Sequence, residues 1–223
     1  MTCISISEIE NVLNKTNGKD LHSFFEEQIN NIFANDSWEL FISSREYVHI
    51  NDKNLNLNVS YPMSFAYELS DKLQLQNYPG VYLIAYQQPN HNSQRIINIG
   101  MTHGGEGLKT RLGKNFVKGL NTGHGHAEAD RLHKLINAEV IMNQNIEYSK
   151  KLMKLLRNDF VREIIFSNPL KLYVKFLAIE RSNELKNPVN LKINGIVRAL
   201  EYFLFARYFS EINEKPILNE QYF

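Results

Sequence analysis

An acidic residue lies in an otherwise apolar helical stretch near the end of the sequence. Glu201 follows Leu200 within IVRALEYFLFARYF. A carboxylate in an apolar setting is costly unless it is paired, bound to a metal or facing a cleft. An ion pair with Arg198 or Arg207 would satisfy it. So would a divalent cation such as Mg²⁺, which prefers carboxylate oxygen. Both interpretations stay open at this point.

Two other side chains are of types that act on phosphate groups. Arg111 lies near the start of a predicted helix, after the glycine-rich segment GGEG. Helix N-terminal amides and a guanidinium both favour a phosphate, which the guanidinium can bind through two N–H groups. Tyr82 lies in an alternating apolar run. Because a solvated arginine and a half-buried tyrosine are both common without such a role, each residue alone is a weak indication.

Several other catalytic classes lack their motifs. The histidines do not have the spacing of a zinc site, and the single cysteine, Cys3, allows neither a disulfide nor a cysteine cluster. The GGEG segment has neither the Walker ending nor the GxGxxG spacing. The absence of a GxSxG turn argues against a serine hydrolase.

The composition is that of one ordinary globular core with room for a modest elaboration. The chain has 223 residues, 43% hydrophobic and 22% charged, with a net charge of +1. Any surface that binds a polyanion must therefore be local. With one cysteine, no membrane-length apolar run and no signal pattern, we expect a cytoplasmic protein without membrane contact.

The order of the candidate residues resembles the signature of the GIY-YIG nuclease family. Gly-Val-Tyr at 80–82 and Asn-Ile-Gly at 98–100 resemble its two strand motifs, and RLGKNF and ALEYFLF resemble the flanks of its arginine and glutamate. The resemblance covers residues 78–222, and residues 1–77 carry none. The positions that correspond to the family's catalytic residues are Tyr82, Asn98 at the second tyrosine position, Arg111, Glu201 and Asn219.

This resemblance implies hydrolysis of a DNA phosphodiester with one Mg²⁺ or Mn²⁺ per active site. Tyr82 would help to deprotonate the attacking water, and Arg111 would stabilise charge on the phosphorane oxygens. Glu201 would hold the metal next to the leaving 3′ oxygen. Asn219 would orient the site, and Asn98 would bind a phosphate or a water.

Two positions depart from the family pattern. Asn98 replaces the second tyrosine, and Asn115 stands where many members have His or Tyr. His103 could compensate for these losses. Cationic and polar residues near Arg111 moderately favour polyanion binding. The residues expected to contact DNA are His103, Lys109, Lys114, Asn115 and Lys118.

The layout resembles the stand-alone type II restriction endonucleases of this family. Residues 1–77 would be an N-terminal α/β elaboration for DNA recognition or dimerisation, and residues 78–223 a nuclease domain with a helical insertion at about 121–168. The expected partner is double-stranded DNA. A palindromic site cut on both strands favours a homodimer, and a restriction enzyme implies a cognate methyltransferase. The alternatives are a catalytically weakened nucleic-acid-binding protein of the same fold and a nonspecific toxin nuclease.

Periodicity predicts the elements that must position these residues. Alternation places Tyr82 and Leu83 on opposite faces of their strand, and it places Ile96 and Asn98 on the same face of theirs. The predicted order gives an α/β (α+β) fold with a small, largely antiparallel three-stranded central sheet flanked by helices. We expect strands at 38–50, 55–59, 80–86, 95–102 and 170–179, and helices at 5–15, 21–34, 64–74, 107–120, 126–140, 147–166 and 196–209.

Overall fold

A computed structural model of the chain describes most of the predicted elements. The described residues are 2–15, 19–34, 38–43, 48–51, 56–59, 71–73, 76–87, 94–102, 107–122, 129, 159, 171–180, 188–216 and 219. The strands are β1 (Thr2–Ile4), β2 (Glu39–Ser43), β3 (Val48–Asn51), β4 (Asn56–Val59), β5 (Gly80–Gln87), β6 (Gln94–Thr102) and β7 (Lys171–Ile179). The helices are α1 (Ile6–Lys15), α2 (Lys19–Ala34), a π-helix (Lys109–Asn115), α3 (Phe116–Thr122) and α4 (Pro188–Ile212).

The main sheet is five-stranded and mostly antiparallel. β5 pairs with β6 on one side and with β7 on the other, both antiparallel. The outer edge of β7 is shared, because β1 pairs with one end of it in parallel and β2 pairs with the other end antiparallel. The fold is therefore mixed α/β, of the α+β type. The prediction of three strands was wrong because β1 and β2, from the N-terminal region, extend the sheet.

The predicted elements within the described residues are confirmed with shifted ends. The strand predicted at 38–50 is two strands, β2 and β3, and α4 begins at Pro188 rather than at residue 196. The helix predicted at 107–120 is a π-helix followed by α3. The helices predicted at 126–140 and 147–166, and most of the one at 64–74, lie outside the described residues. No helix in the described part of the chain is long and apolar enough to cross a membrane.

The two faces of β5 serve two different layers. Leu83 faces the larger hydrophobic core, which the sheet forms with α1, α2 and α4. Tyr82 faces the opposite side, where Arg111 of the π-helix reaches its hydroxyl. Both faces are buried, so the strand is apolar along its whole length. The π-helix and α4 are therefore on opposite faces of the sheet.

A β-bulge in β6 changes which residues share a face. Ile84 pairs with Asn98, whereas its neighbour Ala85 pairs with Ile96, so Ile97 is the extra residue. Ile96 consequently lies on the face of the larger core and not on the face of Asn98. The prediction from strict alternation was wrong here because a bulge inserts one residue and reverses the alternation beyond it.

A lysine in the middle of β7 is buried against the end of α2. Lys175 Nζ donates a hydrogen bond to Ile32 O at 3.1 Å and lies 4.5 Å from the centre of the Trp38 ring. The last turn of α2 contains no basic residue of its own. Lys175 therefore supplies the positive charge and the donor that a helix C-terminus favours.

Helix α1 begins with a capping box. Glu8 N–H donates to Ser5 Oγ at 3.2 Å, and Ser5 N–H donates to Glu8 Oε2 at 2.8 Å. These reciprocal bonds satisfy two of the amides that a helix start leaves unpaired. Ser5 therefore caps the start of α1.

The segment before β5 holds the start of the helical run that carries Arg111. Leu108 N–H donates to Tyr78 O at 2.8 Å, and Lys109 N–H donates to Gln76 O at 3.0 Å. Gly107 lets residues 76–78 approach the start of the helical run this closely, because it has no side chain and adopts a φ of +62°. A Cβ at position 107 would come closer than 3.0 Å to the backbone of Asn77.

Replacing Gly107 with alanine should therefore lower the free energy of unfolding. The left-handed backbone alone costs an L-residue about 1–2 kcal/mol, and the contact with Asn77 adds to this. Gly195, exposed in α4, is the matched control because a Cβ there meets nothing within 4 Å. Gly195→Ala should raise stability by about 0.5–1 kcal/mol. Urea denaturation measures both, and a shift of the same sign in both variants would contradict the assigned backbone geometry.

Candidate active site

The Tyr82 ring lies over the neighbouring strand, β6, at Gly100, the one residue of that strand without a side chain. Tyr82 pairs with Gly100 of β6, and a Cβ at position 100 would come closer than 3.0 Å to the phenol ring and to its hydroxyl. The ring is therefore packed directly on the Gly100 backbone, and only 1% of the residue is exposed. A side chain at position 100 would displace the hydroxyl from its place above β6.

Gly100 belongs to the candidate site, but the sequence motifs do not single it out. It enters them only as the last residue of Asn-Ile-Gly at 98–100. A glycine inside a strand rich in isoleucine weakens the strand, so it often marks a close approach of another group. That signal was available from the sequence, but the identity of the approaching ring was not.

Arg111 is joined to Tyr82 by a hydrogen bond. Arg111 Nε donates to Tyr82 Oη, with 3.5 Å between the two atoms. The arginine is half-buried on the π-helix, where the Phe116 N–H donates to its carbonyl in the π pattern. Short π-helical segments are frequent at functional sites. The guanidinium can stabilise negative charge on the phenolic oxygen or on an anion bound beside it.

Two amides at the start of this helical run are bonded within the fold. The N–H groups of Leu108 and Lys109 donate to the carbonyls of Tyr78 and Gln76. These two amides are therefore engaged and do not face a bound phosphate. The positive charge of the site comes from the Arg111 side chain.

Asn219 is bound to the outer edge of β6. Its Oδ1 accepts a hydrogen bond from Ile99 N–H at 2.8 Å, and its Nδ2 donates to Ile99 O at 2.8 Å. The side-chain amide thus bonds to both backbone groups of one residue, as a neighbouring strand would. Asn98 Nδ2 also donates to Asn219 Oδ1 at 3.2 Å. Asn219 therefore fixes both the edge of β6 and the orientation of Asn98.

Asn98 is buried with its acceptor unused. Its side chain is 0% exposed, and Nδ2 donates to Asn219 Oδ1 and, at 3.4 Å, to Ile99 O. Because Ile99 O can only accept, the nitrogen must be on that side of the amide. Asn98 Oδ1 has no hydrogen-bond partner among the described residues. A buried acceptor of this kind favours a donor such as water, and it cannot bind a phosphate oxygen, which is itself an acceptor.

Glu201 lies on the opposite face of the sheet from Tyr82. It is half-buried on α4, next to the buried stripe that includes Leu200 and Leu204 and packs in the larger core. One arginine considered as its partner, Arg207, has its Nη2 2.7 Å from Glu211 Oε1. The resemblance grouped Glu201 with Tyr82, but the two residues belong to separate layers.

The side of α4 that carries Glu201 is turned away from α2. Phe203 makes ring contacts with Phe25 and His22 of α2, with centroids 6.0 and 5.0 Å apart. Glu201 is about 200° around the helix from Phe203. α4 packs against β6, the outer strand of the sheet on that side. Glu201 is therefore on the flank of α4 that faces away from α2.

The available carboxylates restrict the kind of metal site. The described residues contain no group of three or more His, Cys, Asp or Glu side chains that could hold a metal ion. A closed zinc centre needs four such ligands. Mg²⁺ keeps several waters and binds through one or two carboxylates, so Glu201 fits a magnesium site in kind.

Four of the residues predicted to contact DNA lie on the same helical run as Arg111. Lys114 and Lys118 are exposed, whereas Lys109 and Asn115 are half-buried. His103 lies outside the described residues. Two exposed lysines on the helix of Arg111 are suitable for contacts with neighbouring phosphates.

The one cysteine is not suited to nucleophilic chemistry. Burial raises the pKa of the Cys3 thiol above its ordinary value, and the nearby charge of Glu180 raises it further. At neutral pH the group is therefore a thiol and not the reactive thiolate. Cys3 lies at the start of β1, in the outer part of the sheet.

The structure joins four of the predicted catalytic residues in two hydrogen-bonded pairs, Tyr82 with Arg111 and Asn98 with Asn219. Glu201 lies on α4, which covers the other face of the sheet. No family model, curated protein or solved structure matches the chain. Its function is therefore inferred from the chemistry of this site.

Replacing Asn219 with alanine should expose the edge of β6 to solvent. The Ile99 amide should exchange faster with deuterium, and the loss of two to three hydrogen bonds should cost about 1–3 kcal/mol of unfolding free energy. Amide exchange followed by NMR measures the first effect, with the Leu83 amide as internal reference. Asn219→Asp keeps an acceptor for the Ile99 N–H and should retain its slow exchange. Unchanged exchange of Ile99 in Asn219→Ala would disprove the link.

Replacing Gly100 with alanine should force the Tyr82 ring out of place. Overpacking of this kind costs about 1–3 kcal/mol. The cause is tested with the background variant Tyr82→Leu, whose shorter side chain removes the phenol ring. If the ring causes the loss, Gly100→Ala should be less destabilising in that background, as a double-mutant cycle by urea denaturation would show. An equal loss in both backgrounds would mean that the alanine is excluded by something else.

Proposed function

We propose that the chain is a divalent-metal-dependent endonuclease that hydrolyses DNA phosphodiester bonds at a GIY-YIG-like site. The observation that carries the proposal is the Arg111 Nε to Tyr82 Oη hydrogen bond beside the unused acceptor of Asn98. A cation for a phosphate, an ionisable hydroxyl and a buried water acceptor are the groups that such a hydrolysis needs. The order β5, β6, π-helix, β7, α4 also supports a fold of the GIY-YIG type.

Asn98 orients the attacking water, and Tyr82 helps to remove its proton. A water that donates one hydrogen to Asn98 Oδ1 is held on the face of β6 where the Tyr82 ring lies on Gly100. Its oxygen forms the new bond to phosphorus while the bond to the 3′ oxygen breaks. Tyr82, as a phenolate that the Arg111 guanidinium stabilises, accepts the proton directly or through a relay and passes it on to solvent. The leaving 3′ oxygen takes up a proton from solvent. A side-chain amide neither gains nor loses a proton near neutral pH. Asn98 therefore aligns the water without acting as a base.

Arg111 binds the phosphate that is cut. Its guanidinium stabilises the charge that grows on the non-bridging oxygens in the transition state. The same group holds the Tyr82 hydroxyl in place, so one residue positions both the phosphate and the base. Exposed Lys114 and Lys118 contact phosphates on either side of the cut.

Glu201 would hold one Mg²⁺ or Mn²⁺ per active site. A metal held there would supply positive charge that stabilises the leaving 3′ oxygen. Because α4 covers the face of the sheet opposite to Tyr82, the DNA backbone would lie across the edge of β6. Asn219, bound to that edge, keeps the strand rigid beneath it.

The biological setting proposed is that of a type II restriction enzyme. Its substrate is double-stranded DNA with a specific site, and cutting both strands of a palindrome requires two copies of the site, as in a homodimer. Such an enzyme acts in the cytoplasm, where a cognate methyltransferase protects the host DNA.

One observation favours a second candidate, a nucleic-acid-binding protein of the same fold with weakened catalysis. Tyr82 is 1% exposed and Asn98 is 0% exposed, so water reaches the proposed base only through a buried space. Asn98 also cannot supply the acid-base function of a tyrosine. A protein of this kind would bind DNA through Arg111, Lys114 and Lys118 without cutting it.

Incubating plasmid DNA with the protein and Mg²⁺ or Mn²⁺ tests the proposal. Discrete fragments are expected from the unaltered chain. Gly195→Ala should cut equally well, because a Cβ at this exposed position, almost two helical turns before Glu201, meets nothing within 4 Å. Arg111→Ala should lower the cleavage rate by about 100- to 1,000-fold. Glu201→Gln, which removes the charge but keeps the shape, should abolish cleavage and still retard DNA in a gel.

Each other outcome assigns a different function. Retardation without cleavage by the unaltered chain identifies the binding protein, and a continuous smear identifies a nonspecific nuclease. Full cleavage by Glu201→Gln in Mg²⁺ would remove Glu201 from the mechanism. Neither binding nor cleavage would overturn the proposal as a whole.

A further inference from the structure

A cavity of about 580 Å³ lies between the main sheet and the C-terminal ends of α2 and α4. On the sheet side it is lined by residues of β5, β6 and β7, among them Leu83, Ile96 and Lys175. Leu83 and Ile96 belong to the face of the larger core, which is the face opposite to Tyr82. The cavity is therefore separate from the candidate active site. Its volume is within the range of about 300–1,000 Å³ that is usual for small-molecule sites.

The walls of this cavity are rich in aromatic and aliphatic side chains. Phe33 and Trp38 line it at the end of α2, and Tyr208 lines it on α4. The Tyr208 hydroxyl donates a hydrogen bond to Ile96 O at 3.4 Å, which joins the helix wall to the outer strand. Ile96 itself lies on this face because of the bulge at Ile97. Such walls suit a small molecule with an apolar body.

A positive charge lies at the buried end of the cavity. Lys175 is 9% exposed, and its Nζ is next to two other lining residues, 3.1 Å from Ile32 O and 4.5 Å from the centre of the Trp38 ring. An ionised acceptor beside an ammonium forms a shorter and stronger hydrogen bond than a neutral one, and more so away from water. The buried end therefore favours an acid group of a ligand over a neutral group.

The acidic residues that line the cavity are at its open end, and each is paired with an arginine. Glu211 Oε1 is 2.7 Å from Arg207 Nη2, and Glu214 Oε2 is 3.7 Å from Arg95 Nη2. Both carboxylates are exposed, so water and the arginines screen their charge. They therefore oppose an anion at the Lys175 end only weakly.

We infer that this cavity binds a small molecule with an apolar body and one carboxylate. Lys175 holds the carboxylate at the buried end, and the apolar body lies against Phe33, Trp38 and Ile96. The inference does not depend on the proposed function, because the cavity and the groups of the proposed hydrolysis on β5 and β6 lie on opposite faces of the sheet. It assigns a second binding site to the chain, with the class of ligand that the site takes.

Three probes with the same alkyl chain, octanoate, octanol and octylamine, test the inference on the full-length protein at neutral pH. Trp38 is the only tryptophan of the chain, so its fluorescence reports binding in the cavity. Octanoate should change this fluorescence in a saturable way. It should bind roughly 10-fold more tightly than octanol, since a hydrogen bond between ionised groups is about twice as strong as one with a neutral partner. Octylamine should bind least tightly, because its charge has the same sign as that of Lys175.

A substitution of Lys175 tests the position of the carboxylate. Lys175→Met keeps the length of the side chain and removes its charge, so it should lower the affinity for octanoate roughly 10-fold and leave that for octanol unchanged. Lys171→Met, the same change at the exposed start of β7, should bind both probes as the unaltered chain does. Isothermal titration calorimetry measures these affinities, because the loss of Lys175 beside Trp38 alters the fluorescence by itself.

A second substitution covers the case in which Lys175→Met fails to fold. Ile212 lines the cavity and is 46% exposed, so Ile212→Glu adds a negative charge at the open end without disturbing the core. It should weaken the binding of octanoate and not that of octylamine. Equal affinities for octanoate and octanol in the unaltered chain would overturn the inference, and so would the absence of saturable binding by any probe. Neither result would bear on DNA cleavage.

Discussion

The candidate site depends on the absence of a side chain at position 100. The Tyr82 ring lies on the backbone of Gly100, and this contact carries its hydroxyl across β6 to Arg111. Any other residue at position 100 would separate the phenol from the guanidinium. The same strand presents Asn98 on the same face and binds Asn219 at its outer edge. One strand thus organises four polar groups around one glycine.

Local periodicity was sufficient to predict the elements that form the centre of the fold. β5, β6 and β7 each have eight or nine residues, long enough for apolar alternation to be recognised, and α4 repeats its apolar residues over many turns. The bulge at Ile97 could not be predicted, because it exists only relative to the register with β5. The pairing of β1 and β2 with β7 was also beyond local pattern, since both contacts join distant parts of the chain.

The proximity of the candidate residues was easier to predict than the hydrogen bonds that they make. The order of Tyr82, Asn98, Arg111 and Asn219 along the sequence indicated one site, and the structure joins them in pairs. The orientation of the Asn98 amide depends on Ile99 O and on Asn219, a residue far away in the sequence, so its role as an acceptor was not predictable. The placement of Glu201 on the other layer depends on how α4 packs, which helical periodicity does not specify. The burial of Lys175 was not predictable either, because its hydrogen-bond acceptor, Ile32 O, is at the end of a helix that is distant in the sequence.

The bonds between Asn219 and Ile99 join residues separated by 120 positions. Contacts of such long range form late in folding, after hairpins such as β5–β6 and after single helices. Until Asn219 binds, the backbone groups of Ile99 are open to another strand, and nothing on that side orients Asn98. For the nuclease proposed above, a partly folded chain would thus bind DNA through its lysines while lacking an aligned water. Under that proposal cleavage would begin only in fully folded molecules, so a newly made chain would be harmless to DNA during its own folding.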